Sequence, residues 1–230
     1  MNARLIRSVA AGCFVFLLPG CGRLIDWGKN TFYQGETLDE DSKQARQYVR
    51  WAHVYDQLET RAIFDAIWLS NDVRTAYAHL YTARQGKSED HQQAFLRRQL
   101  EENNHFTTFY VLSLYDISLG DSDSAWSIFL DIDGQQSLPI EVKAVDMPQE
   151  FNVFFGNRHT RFKDAYRVKF DARDIQDRLL ITKKTQQVAL HFRTVDKQVV
   201  LIWELDDNGD LIEQRMTGGV PAFTHRQREK

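Results

Sequence analysis

From Phe106 onward the apolar residues of this 230-residue chain recur at every second position, and that period limits its fold more than any other feature. Successive side chains of an extended strand point to opposite faces, so alternation marks a segment with one face in a core. Trp126, Ile128, Leu130 and Ile132 alternate with Ser127 and Asp131. Ile140 and Val142 alternate with Glu141 and Lys143, and Tyr166, Val168 and Phe170 alternate with Arg167 and Lys169. Val188, Leu190 and Phe192 alternate with His191 and Arg193. Tyr110, Val111, Leu112 and Leu114 lie in a nearly continuous apolar run, as in a strand buried on both faces. Val199, Leu201, Trp203 and Leu205 close the series in a segment apolar enough on both sides to be central, with Asp196-Lys197 turning it back on its predecessor. Many short strands separated by turn residues predict a sandwich or barrel.

The middle of the chain changes period. Val73, Ala76, Tyr77, Leu80 and Tyr81 form one helical stripe, with Asn71 as N-cap and Gly86 just past the end. A charged helix follows from Glu89 to Glu102, with Phe95, Leu96 and Leu100 as its narrow apolar face. The short link predicts an antiparallel helical hairpin at about 71–103. Residues 48–69 fit two patterns. Val49, Trp51, His53 and Tyr55 alternate as in a strand, whereas Ala45, Tyr48, Ala52 and Tyr55 have helical spacing. Their β-branched and aromatic content favours strands paired as a hairpin, with one bent helix as the alternative. Thr37-Leu38-Asp39-Glu40 fits a capping box ahead of a short helix running to about Gln47. The expected fold is mainly β with an α-helical hairpin insertion, an α+β, β-sandwich-like domain over residues 45–215, ending in a polar tail over 216–230.

The N-terminus has the three parts of a secretory signal over residues 1–20: Arg4 and Arg7, an apolar stretch from Val9 to Leu18, and small Gly20. Its apolar stretch is about half the ~20 residues a transmembrane helix needs. The ending Leu18-Pro19-Gly20-Cys21 resembles the bacterial lipobox, with Pro19 departing from the usual small residue and Cys13 a poorer fit because its apolar stretch would be too short. The resemblance implies cleavage before Cys21, diacylation of its thiol, and a lipid anchor in the cell envelope. Gly22 stands where Asp would resemble an inner-membrane retention signal, which favours the outer membrane, facing the periplasm. Residues 21–44 then form the tether. The general pattern also resembles small β-rich envelope lipoproteins of Gram-negative bacteria, and that resemblance carries no functional residues.

Composition excludes several classes of function. Removing Arg4 and Arg7 leaves 27 of 29 basic residues against 32 acids, a net charge of −5, which argues against nucleic acid as a partner. Cys13 leaves with the signal and Cys21 is committed to lipid, so the mature chain has no disulfide, thiol nucleophile or Cys-ligated zinc. Asp206, Asn208 and Asp210 occupy alternating positions as in a calcium loop, but Leu211 stands where Gly is required and Thr217 where Glu is required, so a tight turn at Asn208-Gly209 is expected. Asp131-Ile132-Asp133-Gly134 fails the same test at Val142. The seven histidines show no ligand spacing, although His53, His79 and His91 lie on elements that could approach one another. No Gly-x-Ser-x-Gly elbow and no phosphate-binding Gly loop appear. Neither cofactor nor metal is expected.

One basic cluster stands out. Arg158, Arg161, Lys163, Arg167 and Lys169 face the single acid Asp164, with Phe154, Phe155 and Phe162 close by. Arg158, Arg161 and Lys163 are candidates for contact with an anionic surface, such as lipid headgroups, or an acidic partner. A solvated loop leading into an amphipathic strand would produce the same pattern. The leading expectation is a membrane-anchored, non-catalytic interaction or structural module engaging another envelope component. A carrier for a lipid or other apolar ligand is the alternative, and an envelope hydrolase a more distant one.

Overall fold

A computed structural model describes residues 40–56, 59–114 and 116–212. The signal segment, Cys21, the tether up to residue 39 with most of the capping box, and the tail over 216–230 lie outside these residues.

The elements follow in order α1 (Glu40–Arg46), β1 (Val49–Asp56), β2 (Glu59–Trp68), α2 (Asn71–Arg84), α3 (Glu89–Glu102), β3 (Phe106–Leu114), β4 (Ser127–Ile132), β5 (Gln135–Ser137), β6 (Glu141–Ala144), α4 (Glu150–Phe155), β7 (Lys163–Asp171), β8 (Gln187–Arg193) and β9 (Gln198–Glu204). A 3-10 turn over Gly156–Arg158 follows α4. Five strands form one antiparallel sheet in the order β1-β2-β3-β7-β6, and four form a second in the order β5-β4-β8-β9. The fold is α+β and mainly β, with a helical hairpin inserted between β2 and β3.

Alternation decides which side chains enter the core. Phe64 on β2 stacks against Phe192 on β8 with ring centroids 4.2 Å apart, and Phe109 on β3 meets Trp203 on β9 at 5.3 Å. All four are fully buried. Each such side chain contributes about 1.5–3 kcal/mol by leaving water. The two sheets also meet along one side, where β1 lies beside β9. Trp203 Nε1 donates to the Tyr48 carbonyl at 2.7 Å, and Arg50 Nε donates to the Ile202 carbonyl at 2.7 Å.

The other face of the five-stranded sheet is roofed by the helices. Phe151 of α4 packs on Tyr110 of β3 at 4.7 Å and on Tyr77 of α2 at 4.8 Å. Tyr81 of α2 stacks on Phe95 of α3 at 4.7 Å. None of the residues of α3 is fully buried, in keeping with its narrow apolar face. Ser42 and Ala45 of α1 are buried, so that helix is part of the packed domain.

Several expectations are met and several corrected. Residues 48–69 are strands: β1 and β2 pair antiparallel with an irregularity between Val54 and Tyr55. The N-cap of α2 is Ser70 rather than Asn71; its hydroxyl accepts from Val73 N at 3.4 Å, which leaves the Asn71 side chain for other contacts. Segment 199–205 is an edge strand, not a central one. Its second apolar side, Val200 and Ile202, is half-buried, and Arg50 reaches the Ile202 carbonyl. Neither α4 nor the short polar β5 was expected. Among the described residues no helix is long and apolar enough to cross a membrane.

Candidate functional site

The basic cluster is built around an acid that sequence reading did not connect with it. Asp65 sits on β2 opposite Trp51 of β1 and Leu112 of β3, on the helix-covered face, and is completely buried. Lys163 Nζ donates to its Oδ2 at 2.5 Å and Arg158 Nη1 to its Oδ1 at 3.3 Å. Lys163 also donates to the Arg158 carbonyl at 3.0 Å, and its side chain is only 9% exposed. A buried carboxylate needs such partners, because an unpaired charge in the interior is costly. Arg167 pairs with Glu141 at 2.8 Å and Lys169 with Glu102 at 2.7 Å. Arg161 lies over the exposed Phe162 ring at 4.8 Å. Phe154 and Phe155 are buried in α4, so only Phe162 of the three aromatic residues is offered to solvent. The Arg158 guanidinium stacks 4.2 Å above the Trp51 ring. Burial holds the nearby His53 imidazole below its ordinary pKa.

A second site lies at the end of the sandwich, where the start of α2, the end of α3, the start of β3 and the loops around 172–183 and 208–210 enclose a cleft of about 420 Å³. Its side chains are held from beneath by Arg74, which is 2% exposed. Arg74 Nε donates to Asn103 Oδ1 at 2.6 Å, while its Nη1 donates to Glu102 Oε2 at 3.0 Å and Gln99 Oε1 at 3.1 Å. Asn103 Nδ2 in turn donates to Asn71 Oδ1 at 2.9 Å. Each amide oxygen in this relay accepts one hydrogen bond, and both residues line the cleft with N–H groups left over as donors. Beside them Tyr48 Oη donates to Asp72 Oδ2 at 2.5 Å, leaving Asp72 Oδ1 as an acceptor. Burial, reinforced by the Asp72 carboxylate, pushes the Tyr48 phenol well above its ordinary pKa, so it stays a donor. Trp68 and Phe106 supply apolar wall, and Lys183 and Asp210 reach the rim.

Glu102 completes the support. Burial pushes its carboxyl pKa up, but the hydrogen bond from Lys169 and the charge of Arg74 outweigh that and hold it below the usual range. Arg74 Nη2 and Thr108 Oγ1 are buried without a hydrogen-bond partner among the described residues. Sequence reading took Asn71 only as a helix cap and did not single out Asn103; they are 32 residues apart, and only the folded hairpin joins them.

The remaining sequence candidates have ordinary local roles. Asp206 Oδ1 accepts from Asn208 N at 2.8 Å and Asp210 N at 2.9 Å, and Gly209 takes φ +84°, a tight turn. Asp131 accepts from Gly134 N, and Asp133 accepts from Gln186 N and Gln187 N. The three histidines hold separate partners: His53 meets Tyr55, His79 meets Asp41 and His91 meets Ser88. No group of three or more His, Cys, Asp or Glu is placed to hold a metal among the described residues. Comparison with protein-family models, curated proteins and solved structures finds no match to this chain.

Proposed function

We propose that this protein is a lipid-anchored module of the bacterial envelope that binds, without catalysis, a polar hydroxyl-bearing envelope component in the end cleft. The single observation that carries the binding reading is the Arg74–Asn103–Asn71 relay beside Tyr48–Asp72. A fully buried cation that orients two amides on a cleft wall is an expensive arrangement, and preorganised donors and acceptors are what selective polar binding requires. Donors from the amides and an acceptor on Asp72, set against Trp68 and Phe106, suit a ligand with several hydroxyl groups and an apolar ring face. The carrier reading draws no support from the interior, where Phe64, Phe192, Phe109 and Trp203 meet ring to ring.

The lipobox at Cys21 supports the anchoring half of the proposal. Confinement to a thin layer raises the effective concentration of the domain near its target, so modest contacts suffice. A photo-crosslinking residue at Leu179, which is 42% exposed and lines the cleft, tests the reading in cells. Ile175, on the same loop and 99% exposed, is the control outside the cleft. A discrete adduct from position 179, weakened by Cys21→Ala and absent from position 175, is the expected result. Equal crosslinking at both positions, or none at 179, would overturn it.

A further inference from the structure

Beside Trp51, α1, β1 and the turn after α4 enclose a different cleft, of about 450 Å³, lined by Arg46, Trp51, Phe155, Gly156, Asn157 and Arg158 among others. Two guanidinium groups reach it from opposite parts of the chain, and each is held by contacts that leave donors over. Arg46 leaves the last turn of α1 and donates from Nε to the Val153 carbonyl at 2.9 Å. No carboxylate pairs with it among the described residues; the acids of its own helix are engaged elsewhere, Glu40 with Lys43 and Asp41 with His79. Gly156 takes φ +55°, and a methyl group there would stand 3.5 Å from Arg46 Nη2, so the turn and the guanidinium are neighbours at ordinary contact distance. Arg158 is held flat by Trp51 at 4.2 Å and spends one N–H on Asp65 at 3.3 Å.

Asp65 is the acid facing this group from β2, and its shorter bond is to Lys163. Lys163 therefore carries most of the burden of neutralising the carboxylate. Two cations, Lys163 and Arg158, pair with this one buried anion, Arg46 lines the same cleft without a carboxylate partner among the described residues, and both guanidinium groups have N–H groups to spare. Lining an open cleft with excess positive charge on side chains fixed by stacking and backbone contacts is the arrangement that bidentate oxyanion recognition uses.

We propose that Arg46 and Arg158 form a binding site for a phosphate group, with Trp51 and Phe155 as its apolar wall. The phosphate belongs either to a membrane lipid headgroup or to a soluble phosphate ester; the recognising chemistry is the same. The site is separate from the end cleft and stands independently of it. It differs from a general basic surface in which residues matter. Arg46 is essential to it, whereas Arg161, exposed over Phe162 and outside the cleft, is not.

The test uses the full chain carrying Cys21→Ser, so that lipid attachment does not itself deliver the protein to vesicles. One arm titrates inorganic pyrophosphate by calorimetry. The other measures co-sedimentation with phosphatidylglycerol vesicles against phosphatidylcholine vesicles. The variants are Arg46→Gln, Arg158→Gln and Arg161→Gln, each checked for an unchanged circular dichroism melt. Because Arg158→Gln also weakens the Asp65 cluster, Arg46→Gln decides the matter if that variant melts early. Arg46→Gln should weaken binding by about 10-fold or more, the effect of losing a charge-assisted hydrogen bond, with Arg161→Gln near the parent. Binding of pyrophosphate identifies a soluble phosphate ester as sufficient; binding of phosphatidylglycerol vesicles alone identifies the headgroup. Equal losses in Arg46→Gln and Arg161→Gln would show a diffuse charge effect and overturn the site, as would binding to neither probe.

Discussion

Replacing Lys163 by Ala removes the closest counter-ion of a carboxylate that has no access to water. Asp65 is fully buried, Lys163 Nζ stands 2.5 Å from it, and the side chain left behind, Arg158, is 3.3 Å away and 30% exposed. Breaking a buried ion pair by deleting one partner costs about 3–5 kcal/mol. Arg158 remains to compensate in part, so the expected loss is near the low end, about 3 kcal/mol. In a domain of this size that lowers the melting temperature by roughly 6–12 °C. Urea unfolding followed by tryptophan fluorescence should show a lower midpoint with an unchanged slope, the mark of a stability change without a change in exposed surface. The double variant Asp65→Leu with Lys163→Met removes both charges at similar volume, and should recover most of the loss. A loss under about 1 kcal/mol for Lys163→Ala, or a double variant no better than the single one, would refute the reasoning.

Three further expectations follow from particular contacts. Gly120→Ala should destabilise the fold by about 1–3 kcal/mol in the same assay, since a Cβ there would fall 2.7 Å from Val142 Cβ and 2.8 Å from the Val142 carbonyl at φ +85°. Glu102 has a folded pKa below its ordinary value, so its stabilisation is present above the usual glutamate range and is lost as pH falls through the folded value. Glu102→Gln should therefore lose less stability than the parent between about pH 6 and pH 3, with urea midpoints as the readout. Asn103→Ala removes the middle of the amide relay and should reduce crosslinking from position 179 several-fold per amount of folded protein.

Strands were legible in the sequence wherever one face met the core, because buried Leu130 and Ile132 flank Asp131, and buried Leu190 and Phe192 flank His191. The hairpin was legible for the same kind of reason at the helical period. The misplacement of β9 shows the limit of that signal. Its second apolar face, Val200 and Ile202, is only half-buried, and Arg50 of β1 in the other sheet, instead of a further strand, reaches the Ile202 carbonyl. Helix α4 is six residues long, too short to establish a period, and its phenylalanines beside a basic run suggested an exposed surface instead of a buried turn. The sites were harder still. Asp65 lies 98 residues from Lys163, and Arg74 lies 29 residues from Asn103. Such pairings exist only after the sheet registers and the hairpin are formed. Arg158 was singled out from sequence, but Arg46, the other arginine of its cleft, was not, because nothing local marks a helix-ending arginine as one without an acid partner among the described residues.

Whether this sandwich works while held to a membrane by its N-terminus is decided by intact mass spectrometry of the protein purified from membranes of cells that produce it. The expected result is a chain beginning at Cys21 and carrying the added mass of two or three acyl chains, with Cys21→Ser recovered without them. A chain that begins elsewhere, or an unmodified Cys21 in the soluble fraction, would contradict it.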